Sequence, residues 1–291
     1  MLSPTSINTY VQCPRSYYLK YIKKMPQPVS KHMKRGTIVH EIIEDLFKKK
    51  GPFGLKPFVT TELERRWSMK GARDITPEEE PAFKAETLQM LLSFVDLIDI
   101  KITNLLCEGG ICKDKFHAWN IIKPRMQEEA IKIPEIALQG KIDAIHEYED
   151  ETGEKQIFII DYKTSKLWRY AVSNDYILQG KIYALLYKRK YGRMPTHVGF
   201  NYIRYGEIMN FFFTEEQINE TELYVQDIRK KTLSMNLADY PCFCDKNRYK
   251  ADMCTMYEIR EDGNVYKKTK VEKDGNGENS SETIEPEPSR T

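Results

Sequence analysis

At 291 residues with 41% hydrophobic side chains, the chain is long enough for one large domain, or one domain with a sizeable insertion. Its formal net charge is +2, yet residues 261–291 hold eight acids against five Lys/Arg, which leaves +5 on the remainder: an excess that permits a nucleic-acid partner without requiring one. No stretch reaches the roughly 20 apolar residues that span a bilayer, and Met1-Leu2-Ser3-Pro4 has neither a basic nor an apolar leader region, so a soluble, intracellular protein is expected, with its six cysteines as core residues, metal ligands or reactive thiols rather than disulfides.

Along the chain, Ile38, Val39, Ile42, Ile43, Leu46 and Phe47 recur at helical spacing, and Gly51-Pro52 supply a stop, so a helix carrying His40 is expected over Thr37 to Lys50. Residues 77–106 form a second helical stretch with a stripe of Leu88, Leu91, Leu92, Val95 and Ile98, and about 50–125 reads as a helical insertion. The period then shortens. Ala130–Ile136, Ile142–Tyr148, Gln156–Tyr162 and Val198–Tyr205 are rich in β-branched and aromatic residues and are the expected strands, the second and third joined as an antiparallel hairpin by the polar turn Glu149-Asp150-Glu151-Thr152-Gly153-Glu154. Asp175–Lys190 returns to helical periodicity, a strand pair follows at 196–213, and a helix at about 215–235, which together make an α/β pattern. Residues 1–260 read as one domain, and 261–291, poor in large apolar residues, as a disordered charged tail.

Asp143, Asp161 and Lys163 are the candidate catalytic residues. Phosphodiester hydrolysis needs a divalent cation on hard oxygen ligands and a cationic group to position water. Asp161 and Lys163 are two apart on a strand and so project to the same side, at the end of the apolar run Ile157-Phe158-Ile159-Ile160, where ionised groups are costly without a partner. The hairpin brings Asp143 to them. Gln179 and Tyr183, four apart, share one helical face.

Gly140-Lys141-Ile142-Asp143, then Ile160-Asp161-Tyr162-Lys163-Thr164, then Gln179-x-x-x-Tyr183 resemble the ordered motifs of RecB-like PD-(D/E)XK nucleases, a group that includes RecB and AddB nuclease domains and CRISPR-associated exonucleases. Upstream, Ser6-x-x-x-Tyr10-x-x-Cys13-Pro14-Arg15-x-Tyr17-Tyr18-Leu19 and Gly36-Thr37-x-x-His40 match in the same order. The resemblance implies a PD-(D/E)XK core, a mixed β-sheet flanked by helices. It implies Mg²⁺ or Mn²⁺ on His40, Asp143, Asp161 and the backbone carbonyl of Tyr162, and Lys163 orienting the attacking water. Gln179 and Tyr183 would face the active site, and a further acid would be Glu128 or Glu129. It also implies an exonuclease acting on single-stranded DNA or DNA ends in repair, recombination or genome processing; the alternatives are a structure-selective endonuclease and an inactive DNA-binding module. With no ATPase signature in the sequence, unwinding would fall to a partner helicase or another repair protein.

Many such nucleases join their termini through a [4Fe–4S] cluster on one early and three late cysteines, a distribution shared by Cys13, Cys242, Cys244 and Cys254. The late spacing here is Cys-x-Cys-x₉-Cys, where the family reads Cys-x-x-Cys before its last cysteine, and four sulfurs also suit zinc. Cys107 and Cys112, flanking Glu108-Gly109-Gly110, are expected to be unligated. Lys188-Arg189-Lys190 with Arg193, Tyr187 and Tyr191 form a candidate strip for phosphate contact and base stacking, as do Arg15 and Tyr17 by analogy.

Overall fold

The computed structural model describes residues 1–107, 112–150, 152–166, 174–244, 252–260 and 264–268. In chain order the helices are α1 (Pro4–Gln12), α2 (Pro14–Tyr17), α3 (Lys31–Phe47), α4 (Leu55–Arg66), α5 (Glu80–Cys107), α6 (Lys115–Ile122), α7 (Asn174–Tyr191), α8 (Glu215–Lys231) and α9 (Asp252–Met256). The strands are β1 (Met126–Ile133), β2 (Leu138–Glu149), β3 (Lys155–Lys163), β4 (His197–Tyr202), β5 (Glu207–Phe211), β6 (Tyr257–Ile259) and β7 (Val265–Lys267). Two compact units result, one of residues 29–224 and one of Leu2–Pro28 with Val225–Thr291.

In the first unit the strands lie in the order β1-β2-β3-β4-β5, antiparallel except for the parallel pair β3–β4, whose connection runs through α7. This is a mixed sheet flanked by helices. The β2–β3 hairpin turns at Asp150, whose Oδ1 accepts from the backbone N–H of Thr152 (2.9 Å) and Glu154 (3.0 Å), while Gly153 takes φ +82°; Glu151 lies outside the described residues. One face of the sheet, at Ala144, Ile160 and Tyr162, shares a core with Ile42, Leu46 and Phe47 of α3, Leu63 of α4, Leu91 and Val95 of α5 and Trp119 of α6. The helices of the 50–125 stretch are thereby built onto the sheet rather than standing apart. On α7, Ile182, Tyr183, Ala184, Leu185 and Leu186 are buried.

Several boundaries differ from the sequence expectations, three of them for a plain local reason. Helix α3 starts at Lys31, six residues early, because Ser30 caps it by accepting from Met33 N at 3.2 Å and because Arg35, a charged residue that a hydrophobic stripe cannot count, is 1% exposed. Strand β1 spans Met126–Ile133 rather than Ala130–Ile136, since Pro134–Ile136 turn into a short 3₁₀ helix. Strand β4 stops at Tyr202, where Tyr205 and Gly206 both donate back to the Tyr202 carbonyl (2.9 and 3.0 Å).

In the second unit α1 begins with a capping box in which Ser3 and Ser6 satisfy each other's backbone N–H, with Pro4 at its first turn. Leu19, Met25, Met253, Tyr257 and Val265 make a small core. The sequence places residue 265 in a disordered tail, but Val265 is 8% exposed and Val265–Lys267 pair antiparallel with Tyr257–Ile259. A single buried valine and a three-rung ladder order this piece where composition shows only charge. The residues from 269 onward lie outside those described. Among the described residues no helix is long and apolar enough to cross a membrane.

Candidate active site and cysteine cluster

The register that pairs Ala144 with Ile160 sets Asp143 opposite Asp161 across the hairpin. Asp143 Oδ2 accepts from Tyr162 N at 2.8 Å, which fixes its carboxylate at the strand's end. Two-residue alternation puts Lys163 Nζ 2.7 Å from Asp161 Oδ2. Helix α7 then closes over the pair. Gln179 and Tyr183 donate to Asp161 Oδ1 at 3.2 and 3.0 Å, Gln179 Nε2 donates to the Tyr183 hydroxyl at 2.9 Å, and Gln179 Oε1 accepts from Lys163 Nζ at 3.0 Å.

Asp161 is 3% exposed, and its Oδ2, although beside the lysine, makes no aligned hydrogen bond. Burial pushes its carboxyl upward, the Lys163 ammonium opposes this, and Asp143 adds to it. Burial likewise raises the Tyr183 hydroxyl, with Asp161 and Asp143 acting in the same direction. A buried carboxylate with one ammonium beside it and a second carboxylate opposite is what a further cation relieves.

His40, from the middle of α3, donates Nε2–H to the Tyr162 carbonyl at 2.7 Å and places Nδ1 3.3 Å from Asp143 Oδ1. Burial pushes this imidazole's pKa down, but the hydrogen bond and charge of Asp143 outweigh it and hold it at about 9. The ring thus touches two of the oxygens expected to bind metal, and as the neutral tautomer with Nε2–H on the carbonyl it keeps a lone pair on Nδ1 beside Asp143. Ligand atoms of His40, Glu128 and Asp143 all lie within 4.8 Å of one another. Asp161 is not in that cluster; its partners are Lys163, Gln179 and Tyr183. Hard carboxylate and carbonyl oxygens with one imidazole suit Mg²⁺ or Mn²⁺, so the residues fit the implied ion.

Between the two glutamates the geometry is decisive. Residue 128 falls opposite Asp143 in the β1–β2 register, with a left-handed φ of +51°, a conformation that strains a residue with a Cβ and clusters at functional sites. Its carboxylate also pairs with Lys141. Glu129 points to the other side, where Lys190 and the Tyr191 hydroxyl (2.8 Å) hold it. His40, Asp143, Asp161, Lys163, Gln179 and Tyr183 line one cavity of about 1050 Å³, and Glu128 lines a second one with His40 and Asp143.

The proposed basic strip is not a free one. Lys188 pairs with Glu215 (3.6 Å), Arg189 with Glu222 (2.5 Å), Lys190 with Glu129 and Arg193 with Glu147 (3.1 Å), while Tyr187 is fully buried. Each cation answers an acid distant in sequence, which the local pattern conceals. In the second unit, Arg15 Nε donates to the Tyr240 carbonyl at 2.8 Å and Tyr17, 6% exposed, stacks parallel to Tyr240.

The same unit gathers Cys13, Cys242, Cys244 and Cys254 so that all four sulfurs lie within 4.8 Å of one another. Cys13 Sγ is 3.7 Å from Cys254 Sγ and 3.9 Å from Cys244 Sγ, and accepts from Phe243 N at 3.4 Å. The hydrogen bond from Cys254, then those from the Phe243 and Ser16 backbones, bring the Cys13 thiol down to about 5 against its burial. Cys107 is exposed, Cys112 is buried, and neither joins such a group among the described residues; Glu108-Gly109-Gly110 between them lie outside those residues.

The sequence matches the PD-(D/E)XK nuclease superfamily over residues 1–256. No curated protein matches it. A solved structure from Eubacterium rectale, described as "Putative exonuclease", aligns with 85% of this chain and 88% of its own at 9% identity and a TM-score of 0.46.

Proposed function

The chain belongs to the PD-(D/E)XK nuclease superfamily, and on that premise we propose that it is a RecB-like member: a deoxyribonuclease, dependent on Mg²⁺ or Mn²⁺, that works as an exonuclease on single-stranded DNA or DNA ends. The observation that carries this is the convergence of His40, Glu128 and Asp143 beside the buried Asp161–Lys163 pair, with His40, Asp143, Asp161 and Lys163 lining one cavity. A divalent cation bound there supplies Lewis-acid activation of water and stabilises charge on the phosphoryl oxygens. His40, Glu128, Asp143, Asp161 and the Tyr162 carbonyl are the groups to hold it.

The side chains supply the rest. Lys163 presents an ammonium beside Asp161 and holds the attacking water by hydrogen bond, its position set by Gln179 Oε1. Gln179 and Tyr183 both donate to Asp161 Oδ1, which orients that carboxylate, and the Lys163 ammonium favours its ionised form against burial. Asp143 is oriented by the Tyr162 N–H. The placement in repair, recombination or genome processing, with a helicase as partner, follows from the RecB-like reading.

A Mn²⁺ assay with end-labelled linear and covalently closed circular single-stranded DNA tests the mode. Linear DNA is degraded and circles are spared; nicked circles assign an endonuclease instead. If Asp161→Ala and Lys163→Ala both cleave like the wild type, the catalytic assignment is wrong.

For the cysteines we propose a [4Fe–4S] cluster on Cys13, Cys242, Cys244 and Cys254, which gather in one unit although 241 residues separate the first from the last. Zinc is the second reading, favoured by the sulfur separations of 3.7 and 3.9 Å, since a Zn–S bond of about 2.3 Å makes a tetrahedron with an edge of about 3.8 Å. Metal analysis of anaerobically purified protein separates them: iron with absorbance near 400 nm, or one zinc and no colour. A protein with neither metal removes both.

A further inference from the structure

Four residues outside the proposed catalytic set, Arg35, Phe83, Glu86 and Arg204, line the same cavity as Asp143, Asp161 and Lys163. Arg35 lies in the second turn of α3 and is 1% exposed. Its Nη2 donates to one oxygen of Glu86, on α5, and Nη1 of Arg204, just beyond β4, donates to the other. The ring of Phe83 lies 3.4 Å beneath the Arg35 guanidinium carbon. Glu86 is drawn down to about 2, chiefly by Arg204, so its carboxylate is fully ionised at neutral pH.

That arrangement is unbalanced. Two guanidinium groups share one carboxylate, and Nε and Nη1 of Arg35 and Nε of Arg204 are buried without a hydrogen-bond partner. Arginine does not escape by losing its proton. Each unpaired buried N–H costs about 1–3 kcal/mol, and an uncompensated buried charge costs more. Lys31, also on the cavity wall, is itself a cation and keeps Glu79 as its partner at 3.4 Å. One further anion in the cavity would balance the charge, and the planar fork of a guanidinium matches two oxygens of a phosphate.

We propose that Arg35 and Arg204, which share the single carboxylate of Glu86, form a phosphate-binding subsite that grips a second, non-scissile phosphate of the substrate strand. The proposal rests on the nuclease reading of this cavity and assigns α5 of the helical insertion a part in substrate binding. The phosphate is either an internal diester or a terminal monoester.

The test uses the full-length chain in EDTA, so that no cleavage occurs and no divalent ion bridges to phosphate. Binding of inorganic phosphate is read by thermal shift. Binding of short single-stranded oligonucleotides ending in 5′-phosphate or 5′-hydroxyl is read by fluorescence anisotropy. Inorganic phosphate raises the wild-type Tm, and Arg204→Gln weakens oligonucleotide binding about tenfold or more, the equivalent of a lost charge-assisted hydrogen bond. Arg204→Lys, which keeps the charge but not the fork, falls between, and stands in should Arg204→Gln fail to fold.

Glu86→Gln discriminates by sign. It removes the competing carboxylate and strengthens phosphate binding, whereas a purely structural bridge would lose Tm in every variant with phosphate affinity unmoved. Equal weakening for both oligonucleotides assigns an internal diester, and weakening confined to the 5′-phosphate assigns a terminal one. A wild type that ignores inorganic phosphate, a folded Arg204 variant with unaltered affinity, or weaker phosphate binding by Glu86→Gln overturns the subsite. In Mn²⁺ the Arg204→Gln defect falls mainly on KM. Phosphate binding without any Asp161-dependent cleavage sinks the nuclease reading alone; cleavage with unaltered phosphate binding sinks the subsite alone.

Discussion

Replacing Asp161 by Asn separates catalysis from folding at this site. The substitution keeps the shape of the side chain, so an amide oxygen at the Oδ1 position still accepts from Tyr183 (3.0 Å) and Gln179 (3.2 Å). At the Oδ2 position an NH₂ now faces the Lys163 ammonium, whose partner was 2.7 Å away. Taking one partner from a buried ion pair costs about 3–5 kcal/mol when the other ion is stranded. Lys163 is not stranded, because it keeps Gln179 Oε1 at 3.0 Å and lies 4.9 and 5.1 Å from the ring centroids of Tyr176 and Phe200. Against that cost, the variant escapes the desolvation of a carboxylate that burial already pushes upward, a penalty of several kcal/mol in its own right. The two effects oppose, so the net stability change stays within about 2 kcal/mol. Activity has no such compensation. Loss of a charged ligand lowers cleavage about 10³-fold, roughly 4 kcal/mol at 1.36 kcal/mol per tenfold. Mn²⁺ at about 100 times its Kd stabilises the wild type by about 2.7 kcal/mol, or about 5–10 °C in Tm for a unit of this size, and this shift is reduced in the variant. End-labelled DNA cleavage and thermal scans with and without Mn²⁺ measure both. An Asp161→Asn variant retaining more than about a tenth of wild-type cleavage, or the full Mn²⁺ shift, would refute the reasoning.

Glu128→Gln lowers cleavage and weakens the Mn²⁺ thermal shift about tenfold in apparent affinity or more, while Glu129→Gln, which only loses Lys190 and Tyr191, stays within about threefold of wild type; equal effects would reject the choice of Glu128. His197 is buried and unfavourable to charge, its pKa depressed from 6.5 to about 4. The unfolded chain therefore takes up the proton first, and stability falls as pH drops from above 6.5 toward 4. At pH 5 the contribution is on the order of 1–2 kcal/mol, so His197→Phe should flatten the change in urea midpoint between pH 7.5 and 5, and an unchanged slope counts against it. A Cβ at Gly199 would come within 2.8 Å of Asn210 Oδ1 and 2.9 Å of both Ile160 Cδ1 and Ile208 Cγ2. Gly199→Ala is thus expected to cost about 1–3 kcal/mol by overpacking in β4, read as a lower Tm; an unchanged Tm would show that the neighbouring side chains give way freely.

What the sequence determined by itself is what short-range backbone geometry dictates. Alternation along a strand put Asp161 and Lys163 on one side, the 3.6-residue turn put Gln179 and Tyr183 on one face, and the polar turn around Asp150 made β2 and β3 a hairpin that returns Asp143 to Asp161. These relations survive any packing of the elements, so they were legible before any coordinates. What only the tertiary structure decided are the relations between distant residues. Glu128 rather than Glu129 reaches Asp143 because of the β1–β2 register and one left-handed φ, and the run Lys188–Lys190 is spoken for by acids on β1 and α8. Val265 is ordered by a strand partner that composition could not reveal. Arg35 and Arg204, 51 and 118 residues from Glu86, meet it only because α3, α5 and the end of β4 pack around one cavity. A charge reads as solvated in sequence until packing removes the solvent, and it is that removal, not the residue type, that buries Arg35 and leaves two guanidinium groups sharing one carboxylate.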